Sequence, residues 1–212
     1  MFVGSRMTRK VIAVSPGDTI RDASRVLQEN RIHHLPVVEG EDLVGVLSSA
    51  DIQKWVGREQ RVDAGGTVVR RAGTVEEIMT RDVITVTPED TIEDALLILH
   101  KKRFGALPVV EGRSLVGIIT KADILAAFID TLRIEGMGAV RIEVILPRDV
   151  SHLLRLVRTL EEMRIEVRSL VLSPFRGEFV GFLRIGTIDV AAVKSRLRDA
   201  GFKVPALEDF FG

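Results

Sequence analysis

Two short segments place a hydroxyl residue three positions before an aspartate: "GVLSSAD" at 45–51 and "GIITKAD" at 117–123. In both, an apolar run typical of a strand ends at the hydroxyl residue, and a helical pattern follows. A helix N-terminus offers free backbone N–H groups and a positive dipole end, which suit a phosphate. An aspartate one turn into the helix can accept hydrogen bonds from the two hydroxyls of a ribose. Ser48 with Asp51 and Thr120 with Asp123 are therefore candidate nucleotide-binding pairs.

The same residue pairs also match a purely structural motif. A serine or threonine followed three positions later by an acid is typical of a capping box, in which each residue satisfies a backbone N–H of the other. Such a cap contributes about 0.5–2 kcal/mol to stability. The two interpretations are compatible, and the sequence leaves both open.

The two segments belong to a longer internal repeat. Met7–Ile52 aligns with Met79–Ile124 without gaps, and 26 of the 46 aligned positions are identical. "MTRKVIAVSPGDTIRDA" lies over "MTRDVITVTPEDTIEDA", and "LPVVEGEDLVGVL" lies over "LPVVEGRSLVGII". Each unit is too small to bury a good core alone, so we expect the two units to pack on each other.

Each unit has the same predicted order of elements, strand, helix, strand, strand, helix. "VIAV" and "VITV" are predicted as short strands ended by Pro16 and Pro88. Thr19 and Thr91 mark the start of the first helix. "LPVV", a turn and "LVGVL" or "LVGII" predict a hairpin, and a second helix begins near Ser48 or Thr120.

The repeated unit resembles the CBS domain, and the pair resembles a Bateman module, on the leading "MT", "P-x-D-T-I-x-D-A", "LPVV-E-G" and the final G-h-h-S/T-x-x-D. The resemblance implies two pseudo-symmetric clefts between the paired sheets, used for AMP, ADP, ATP or another adenosyl ligand such as S-adenosylmethionine. It implies that Asp51 and Asp123 bind ribose, with Ser48 and Thr120 near ribose or phosphate. The adenine would be held by Ile12, Ala13, Leu35 and Pro36 and by Ile84, Thr85, Leu107 and Pro108.

The two repeats differ at two places beside these residues. Lys121 stands where the first repeat has Ser49, and it is either a phosphate-binding point charge or a solvated lysine on the helix face. His33 and His34 stand where the second repeat has Gly105 and Ala106. We interpret them as surface and packing residues at a helix end rather than as ligands, and we predict no metal site.

After residue 130 the repeat stops and a different pattern begins. "AVRIEVIL", "VSHLLRLVRTLEEM", "IEVRSLVL", "EFVGFLRIG", "VAAVKSRLRDAG" and "FKVPAL" predict the order β-α-β-β-α-β, with a turn at Pro174–Gly177 and a helix ended by Gly201. The predicted fold class is α+β. Its domains are CBS unit 1 at 1–62, CBS unit 2 at 63–130, a linker with Gly136 and Gly138 at 131–138, and a ferredoxin-like domain at 139–212.

The last domain resembles an ACT domain, and the whole arrangement resembles the acetoin-utilization accessory protein family. ACT domains that bind amino acids often carry an Asp-x-Pro-Gly turn before the first helix. This chain has "PRDVSHLL" instead, with Asp149 and no glycine. The domain is therefore expected either to bind an amino acid or to mediate dimerisation.

Composition excludes several functional classes. Thirty basic residues balance thirty acidic ones, which argues against nucleic acid or an anionic membrane as the main partner. Cysteine is absent, which excludes disulfides and thiolate chemistry. No segment resembles a signal peptide or a membrane span, so we predict a soluble, cytoplasmic protein.

The sequence predicts a regulatory protein rather than an enzyme. It contains no P-loop, no G-x-S-x-G and no H-E-x-x-H motif. We predict that an adenosyl nucleotide binds between the two CBS units and acts, by a conformational change, on a partner or through the ACT-like domain. We predict that no cofactor is required and that the protein is a homodimer through its CBS or ACT-like surfaces. The alternative is a ligand-free dimerisation or scaffold protein in which the aspartates only cap helices.

Overall fold

A computed structural model describes residues 1–58, 60–62, 68–70, 73–134 and 139–206. The chain divides into two compact units, Met1–Leu125 and Ala126–Gly212. The first unit contains both copies of the repeat, and its elements follow the predicted order closely. Thr131, the first residue of the predicted linker, still belongs to a helix, and Gly136 and Gly138 lie outside the described residues.

The helices of the repeat begin where the sequence places their caps. Thr19 and Thr91 accept hydrogen bonds from the backbone N–H groups of Asp22 and Asp94. The elements of this part of the chain are helix α1 (Ile20–Glu29), strands β1 (His34–Glu39) and β2 (Asp42–Ser48), helix α2 (Ser49–Arg58), helix α3 (Ile92–Lys102), strands β5 (Ala106–Glu111) and β6 (Ser114–Thr120), and helix α4 (Lys121–Thr131). Strands β3 (Gln60–Val62) and β4 (Val68–Arg70) pair as a short antiparallel ladder across the predicted boundary of the two CBS units, and no pattern in the sequence predicts this pair.

The two long hairpins form one four-stranded sheet in the order β1-β2-β6-β5, where the resemblance implied paired sheets. Strands β2 and β6 meet through the pair Asp42 and Ser114. These two residues are equivalent positions of the repeat, because both lie at the start of the second hairpin strand. The pseudo-twofold axis that relates the repeats therefore passes between them.

The predicted first strand of each repeat is wrong in extent. Within "VIAV" only Val14 pairs, in a parallel bridge to Val37, and Val86 pairs with Val109 in the same way. Val14 donates to the carbonyl of Pro36 and accepts from the N–H of Val38. This parallel pairing extends in neither direction. Its next hydrogen bonds would need an N–H from Pro36 on one side and from Pro16 on the other, and proline has none.

Each repeat is completed by residues at, or just before, the start of the other repeat. Val75 and Met79 are buried in the core of the first repeat, together with Ile20, Leu35 and Leu47. Thr80 pairs with Val46 of β2, and Thr8 pairs reciprocally with Ile118 of β6. The repeated "MT" is therefore a contact between repeats, which explains why neither unit is expected to fold alone.

Glycine in the repeated "LVG" makes room for this exchange. A Cβ on Gly45 would lie 2.6 Å from Sδ of Met79, and a Cβ on Gly117 would lie 2.4 Å from Sδ of Met7. Both distances are too short for any side chain. The methionine of one repeat thus packs directly on the strand backbone of the other.

The second unit carries strand β7 (Ala139–Leu146), helix α5 (Val150–Glu162), strands β8 (Glu166–Phe175) and β9 (Glu178–Gly186), and helix α6 (Val190–Asp199). Its sheet has the order β7-β9-β8. Ile142, Leu156, Leu183, Leu197 and Phe202 form part of one buried core between this sheet and the two helices. Gly201 ends α6 with a φ of +83°, as predicted.

Two boundaries in this unit differ from the prediction. The turn comprises only Arg176 and Gly177, both with positive φ, and Pro174 belongs to the edge strand β8. In the described part of the predicted last strand "FKVPAL", residues 202–206, the pairing is a single antiparallel bridge between Lys203 and Ile145. The next hydrogen-bonded pairs would need N–H groups from Pro205 and Pro147, which have none.

Candidate functional site

A cavity of about 430 Å³ lies between the two repeats of the first unit. Its size is in the range of small-molecule sites. Both repeats supply its walls: His34, Val46, Ser48, Ala50, Asp51 and Lys54 from the first, and Thr80, Asp82, Val83, Ile84, Lys102, Arg103, Phe104, Gly105, Ala106 and Pro108 from the second. A ligand in this cavity would contact both halves of the repeat.

One wall of the cavity is the junction between β2 and α2. Ser48 is the last residue of β2, and its hydroxyl accepts a hydrogen bond from the backbone N–H of Asp51 at 3.3 Å. In return, Oδ2 of Asp51 accepts from the backbone N–H of Ser48 at 3.0 Å and from its hydroxyl at 2.5 Å. The predicted capping box is therefore confirmed.

The equivalent junction in the second repeat has the same geometry. Oδ2 of Asp123 accepts from the backbone N–H and the hydroxyl of Thr120 at 2.8 and 2.7 Å, and Thr120 accepts from the N–H of Asp123 at 3.2 Å. Both aspartates are half-buried. In each, the capping bonds occupy Oδ2, and Oδ1 has no hydrogen bond to the described part of the chain.

Four of the residues expected at the site line the cavity: Ser48, Asp51, Ile84 and Pro108. Thr85 follows Ile84 and Leu107 precedes Pro108, but neither lines the cavity. Leu107 is fully buried in the core. The other expected residues lie at the pseudo-symmetric positions of the opposite repeat: Ile12, Ala13, Leu35, Pro36, Thr120 and Asp123. Of these, Leu35 is fully buried and Ile12 is exposed.

Three basic residues line the cavity although no motif in the sequence predicts them there. Lys54 follows Asp51 by one turn of α2, and Lys102 and Arg103 end α3. All three residues are exposed and line the cavity. Arg103 has a left-handed backbone, with φ 59°, which ends the helix there. Only the fold brings the end of α3 next to α2, so no spacing in the sequence could have revealed this cluster.

Lys121 belongs to the junction of the second repeat, between Thr120 and Asp123. It does not line the cavity described above, and its side chain is exposed at the first residue of α4. Its backbone N–H donates to the carbonyl of Gly105 at 3.2 Å, as that of Ser49 donates to the carbonyl of His33 at 3.0 Å.

His34, predicted as a packing or surface residue at a helix end, lies instead at the start of a strand beside the cavity. It is the first residue of β1, it is half-buried, and it lines the cavity beside Ser48 and Asp51. Burial lowers the pKa of its imidazole below the ordinary value, the charges of His33 and Lys121 lower it further, and the Asp51 carboxylate opposes them.

Two further observations bear on the kind of site. The described residues contain no group of three or more His, Cys, Asp or Glu side chains that could hold a metal ion. No helix in the described ranges is long and apolar enough to cross a membrane.

Comparison with curated proteins gives relatives of the repeat region. The chain is 36% identical over 126 residues to the uncharacterized protein MJ1225 of Methanocaldococcus jannaschii, a match that covers 58% of this chain and 45% of that protein. It is 36% identical over 121 residues to an inosine-5'-monophosphate dehydrogenase of Korarchaeum cryptofilum, covering 57% of this chain and 23% of that enzyme. The matched region thus spans less than half of either relative.

Solved structures resemble the same region. The CBS domain pair of protein MJ0100, in complex with 5'-methylthioadenosine and S-adenosyl-L-methionine, matches with a TM-score of 0.53 and 30% identity, covering 60% of this chain and 95% of that one. CBSX2 in complex with AMP matches with a TM-score of 0.52 and 30% identity, covering 60% and 96%. A Vibrio cholerae protein named for acetoin utilization, AcuB, matches with a TM-score of 0.53 and 27% identity, covering 63% and 94%.

A family model for the CBS domain matches residues 3–58 and again residues 75–130. The two matches cover more than half of the chain, and they coincide with the two repeats that build the cavity. The chain therefore belongs to the CBS-domain proteins, and it carries the domain as a tandem pair, a Bateman module.

Proposed function

We propose that this protein senses an adenosyl nucleotide, of the AMP, ADP or ATP type, in the cavity between its CBS units. The observation that carries the proposal is the composition of the cavity wall, where Ser48 and Asp51 of one repeat face Ile84 and Pro108 of the other. Support also comes from MJ0100 and CBSX2, whose similar domain pairs were solved with adenosyl compounds.

Each wall of the cavity has a role in this proposal. Oδ1 of Asp51 accepts hydrogen bonds from the ribose hydroxyls while Oδ2 keeps the helix capped. Ile84 and Pro108 offer apolar surface to the adenine. Lys54, Lys102 and Arg103 outnumber the acidic residues Asp51 and Asp82, and they favour a ligand that carries phosphate.

The pseudo-equivalent positions would form a second site around Thr120, Asp123, Ile12 and Pro36. This site differs in charge, because Ala126 replaces Lys54 and Asn30 replaces Lys102 at the equivalent positions of the repeat. We propose that the cavity beside Asp51 is the stronger phosphate site, and that Lys121 contributes at the second one.

Binding would act as a signal because the cavity belongs to both repeats. A ligand shifts a protein between two arrangements only to the extent that it binds one of them better. We propose that the nucleotide biases the relative arrangement of the CBS units, and that a partner or the C-terminal unit responds. We further propose that this unit is ACT-like and that the protein is a homodimer. The inosine-5'-monophosphate dehydrogenase activity of one relative is not proposed for this chain, which matches 23% of that enzyme.

The alternative function is a ligand-free scaffold. The reciprocal hydrogen bonds between Ser48 and Asp51, and between Thr120 and Asp123, favour it, because they explain both motifs by stability alone. In that case the cavity would be a vestige of a binding site.

Thermal unfolding with AMP, ADP, ATP, S-adenosylmethionine and NAD separates the two functions. A ligand at one hundred times its Kd should stabilise the fold by about 2.7 kcal/mol, which corresponds to a rise in Tm of roughly 5–10 °C for a chain of this size. We expect this shift with at least one phosphorylated adenosyl compound. No shift with any of the five compounds would favour the scaffold.

A further inference from the structure

A second cavity, of about 500 Å³, lies between α1 and α2 of the first repeat, and we call it the α1–α2 cavity. It has a wall in common with the cavity between the repeats, which we call the nucleotide cavity. His34 and Ser48 line the nucleotide cavity, whereas their chain neighbours His33 and Ser49 line the α1–α2 cavity. The backbone N–H of Ser49 donates to the carbonyl of His33 at 3.0 Å and holds this wall together.

The α1–α2 cavity is rich in hydrogen-bonding groups that the protein itself does not use. No aspartate or glutamate is among its lining residues. Its polar lining side chains form no hydrogen bond and no salt bridge with the described part of the chain. They are Ser24, Gln28, Arg31, His33, Ser49 and Gln53. These donors therefore surround the cavity together with the permanent charge of an arginine.

The same cavity also has an apolar part. Leu27 and Ile52 are buried, Ile32 is half-buried, and all three line the cavity. Small-molecule sites typically combine apolar surface with a few polar groups that fix the orientation of the ligand, and the volume is in their range. The lining therefore suits a ligand with an apolar chain and an anionic end.

The second repeat shows that the fold does not require this polar lining. Leu96 and Leu125 stand at the positions of Ser24 and Gln53, and α3 and α4 form at the same places as α1 and α2. Leucine has no hydrogen-bonding group in its side chain. The polar residues of the first repeat are therefore explained better by a ligand than by the needs of the helix pair.

Charge narrows the class of ligand further. Arg31 is the one permanently charged side chain in the lining, and its guanidinium is a planar fork of donors that matches a carboxylate. One permanent positive charge balances a monoanion, whereas a phosphate dianion would leave a charge without a partner. An ammonium group on the ligand would find no carboxylate among the lining residues.

We propose that the α1–α2 cavity is a binding site for a small monocarboxylate with an apolar chain. Arg31 holds the carboxylate, and the hydroxyl of Ser49 donates a further hydrogen bond to it. The apolar chain lies against Leu27, Ile32 and Ile52. The site is separate from the nucleotide cavity, and it does not depend on nucleotide binding.

Isothermal titration of the full chain with isocaproate, in the absence of nucleotide, tests the ligand class. We expect saturable binding of isocaproate and at least about tenfold weaker binding of its neutral amide, isocaproamide, which lacks the charge that pairs with Arg31. Leucine should bind at least about tenfold more weakly as well, because its ammonium group has no acidic partner in the lining. No saturable binding of isocaproate, or equal affinity for isocaproate and either analogue, would overturn the proposal.

Substitutions test the location of the site. Arg31→Gln should raise the Kd for isocaproate at least about tenfold, because it removes the paired charge. Ser24→Leu should have an effect of the same size, because its larger side chain fills the cavity, and Leu96 shows that the helix pair accepts leucine at this position. Measurement of Tm verifies that each variant folds.

The matched control is Arg133→Gln, which should leave the Kd for isocaproate unchanged. Arg133 does not line the cavity, and it has the same left-handed backbone as Arg31, with a φ of 50° against 52°. The substitution also removes the same charge. An equal rise of the Kd in Arg133→Gln and Arg31→Gln would show a general effect of charge and would overturn the site.

Two further results would overturn the location. One is a wild-type Kd for isocaproate in folded Arg31→Gln and Ser24→Leu variants. The other is loss of isocaproate binding in Lys102→Ala alone, which would place the carboxylate in the nucleotide cavity. Neither result bears on adenosyl nucleotides, whose binding the thermal shifts test separately.

Discussion

The imidazole of His34 lies so close to Gly105 that a Cβ on this glycine would stand 2.2 Å from Nε2. The contact joins the start of β1 to the residue before β5, and it breaks the symmetry of the repeat. The second repeat has Ala106 in place of His34, and the first has His33 in place of Gly105. Position 105 therefore needs glycine because His34 packs against it, and this reason applies to only one of the two repeats.

Replacement of Gly105 by alanine should destabilise the fold by about 1–3 kcal/mol, because the added methyl group forces the half-buried imidazole to move. Urea denaturation at neutral pH measures the change in free energy of unfolding. The double variant Gly105→Ala with His34→Ala should recover most of the loss, since the clash needs both side chains.

A matched control for this substitution lies on α2. Gly57 has no atom within 4 Å of a Cβ built on it, and it lies inside a helix, so Gly57→Ala should be neutral or stabilising. If Gly105→Ala proves as stable as the wild type, the close contact between His34 and Gly105 does not exist in solution.

The lowered pKa of His34 predicts a pH dependence of stability. Burial is the largest cause of the lowered pKa, followed by the charge of His33. The charge of Lys121 also lowers the pKa, whereas the Asp51 carboxylate raises it. Because the fold favours the neutral imidazole, this contribution to stability is fully present above the ordinary histidine pKa of 6.5. It is lost as the pH falls through the lower pKa of the folded state.

Urea midpoints at about pH 7.5 and about pH 5 measure this dependence, since the two values bracket ordinary histidine titration. We expect His34→Gln to reduce the loss of stability on acidification. The exposed His100 provides the control, and His100→Gln should keep the wild-type profile. Equal profiles for the wild type and His34→Gln would contradict the assignment.

The sequence predicted most of the fold because the repeat and its caps are local signals. Threonine caps at 19 and 91, the two hairpins and the helices of the C-terminal unit are all confirmed. The errors in the extent of the first and last strands occur where proline acts at a distance. The sequence shows Pro36, but only the pairing of Val14 with Val37 shows that this proline ends a ladder.

The candidate site could be predicted only in part, for a related reason. The motif around Ser48 and Asp51 is contiguous, so its geometry followed from helix capping. Lys102 and Arg103 reach the same cavity from the other repeat, 51 positions or more from Asp51 in the chain. Which residues of one repeat face the other depends on packing across the pseudo-twofold axis, and no local pattern records it.

Asp51→Asn should weaken nucleotide binding at least tenfold while the protein stays folded. The change removes the charge that strengthens hydrogen bonds from the ribose, each of which contributes about 1.5–3 kcal/mol. The amide oxygen of asparagine can still accept from the backbone of Ser48. Isothermal titration with the compound that gives the largest thermal shift measures the effect.

Asp123→Asn is the matched control, because Asp123 has the same capping geometry in the other repeat. We expect a smaller loss of affinity there. A folded Asp51→Asn variant with unchanged binding would refute the ribose role. If only Asp123→Asn weakened binding, the nucleotide would occupy the opposite cleft, and unfolding of either variant would favour the capping role.

The exchange of segments between the repeats predicts a long-range effect of Val3. This residue is fully buried, and its N–H donates to the carbonyl of Asp90 at 2.8 Å, so it stabilises the start of α3 in the other repeat. Val3→Ala should cost about 2 kcal/mol of stability and should speed amide exchange around Ile92, whose N–H donates to the carbonyl of Met1. Hydrogen exchange with mass spectrometry measures this, with Phe2→Ala as the control, because Phe2 is 60% exposed. If exchange became faster only within residues 1–20, the first segment would stabilise its own repeat instead. Faster exchange near Ile92 requires the packing of this segment on the other repeat, because Val3 and Ile92 are far apart in the sequence.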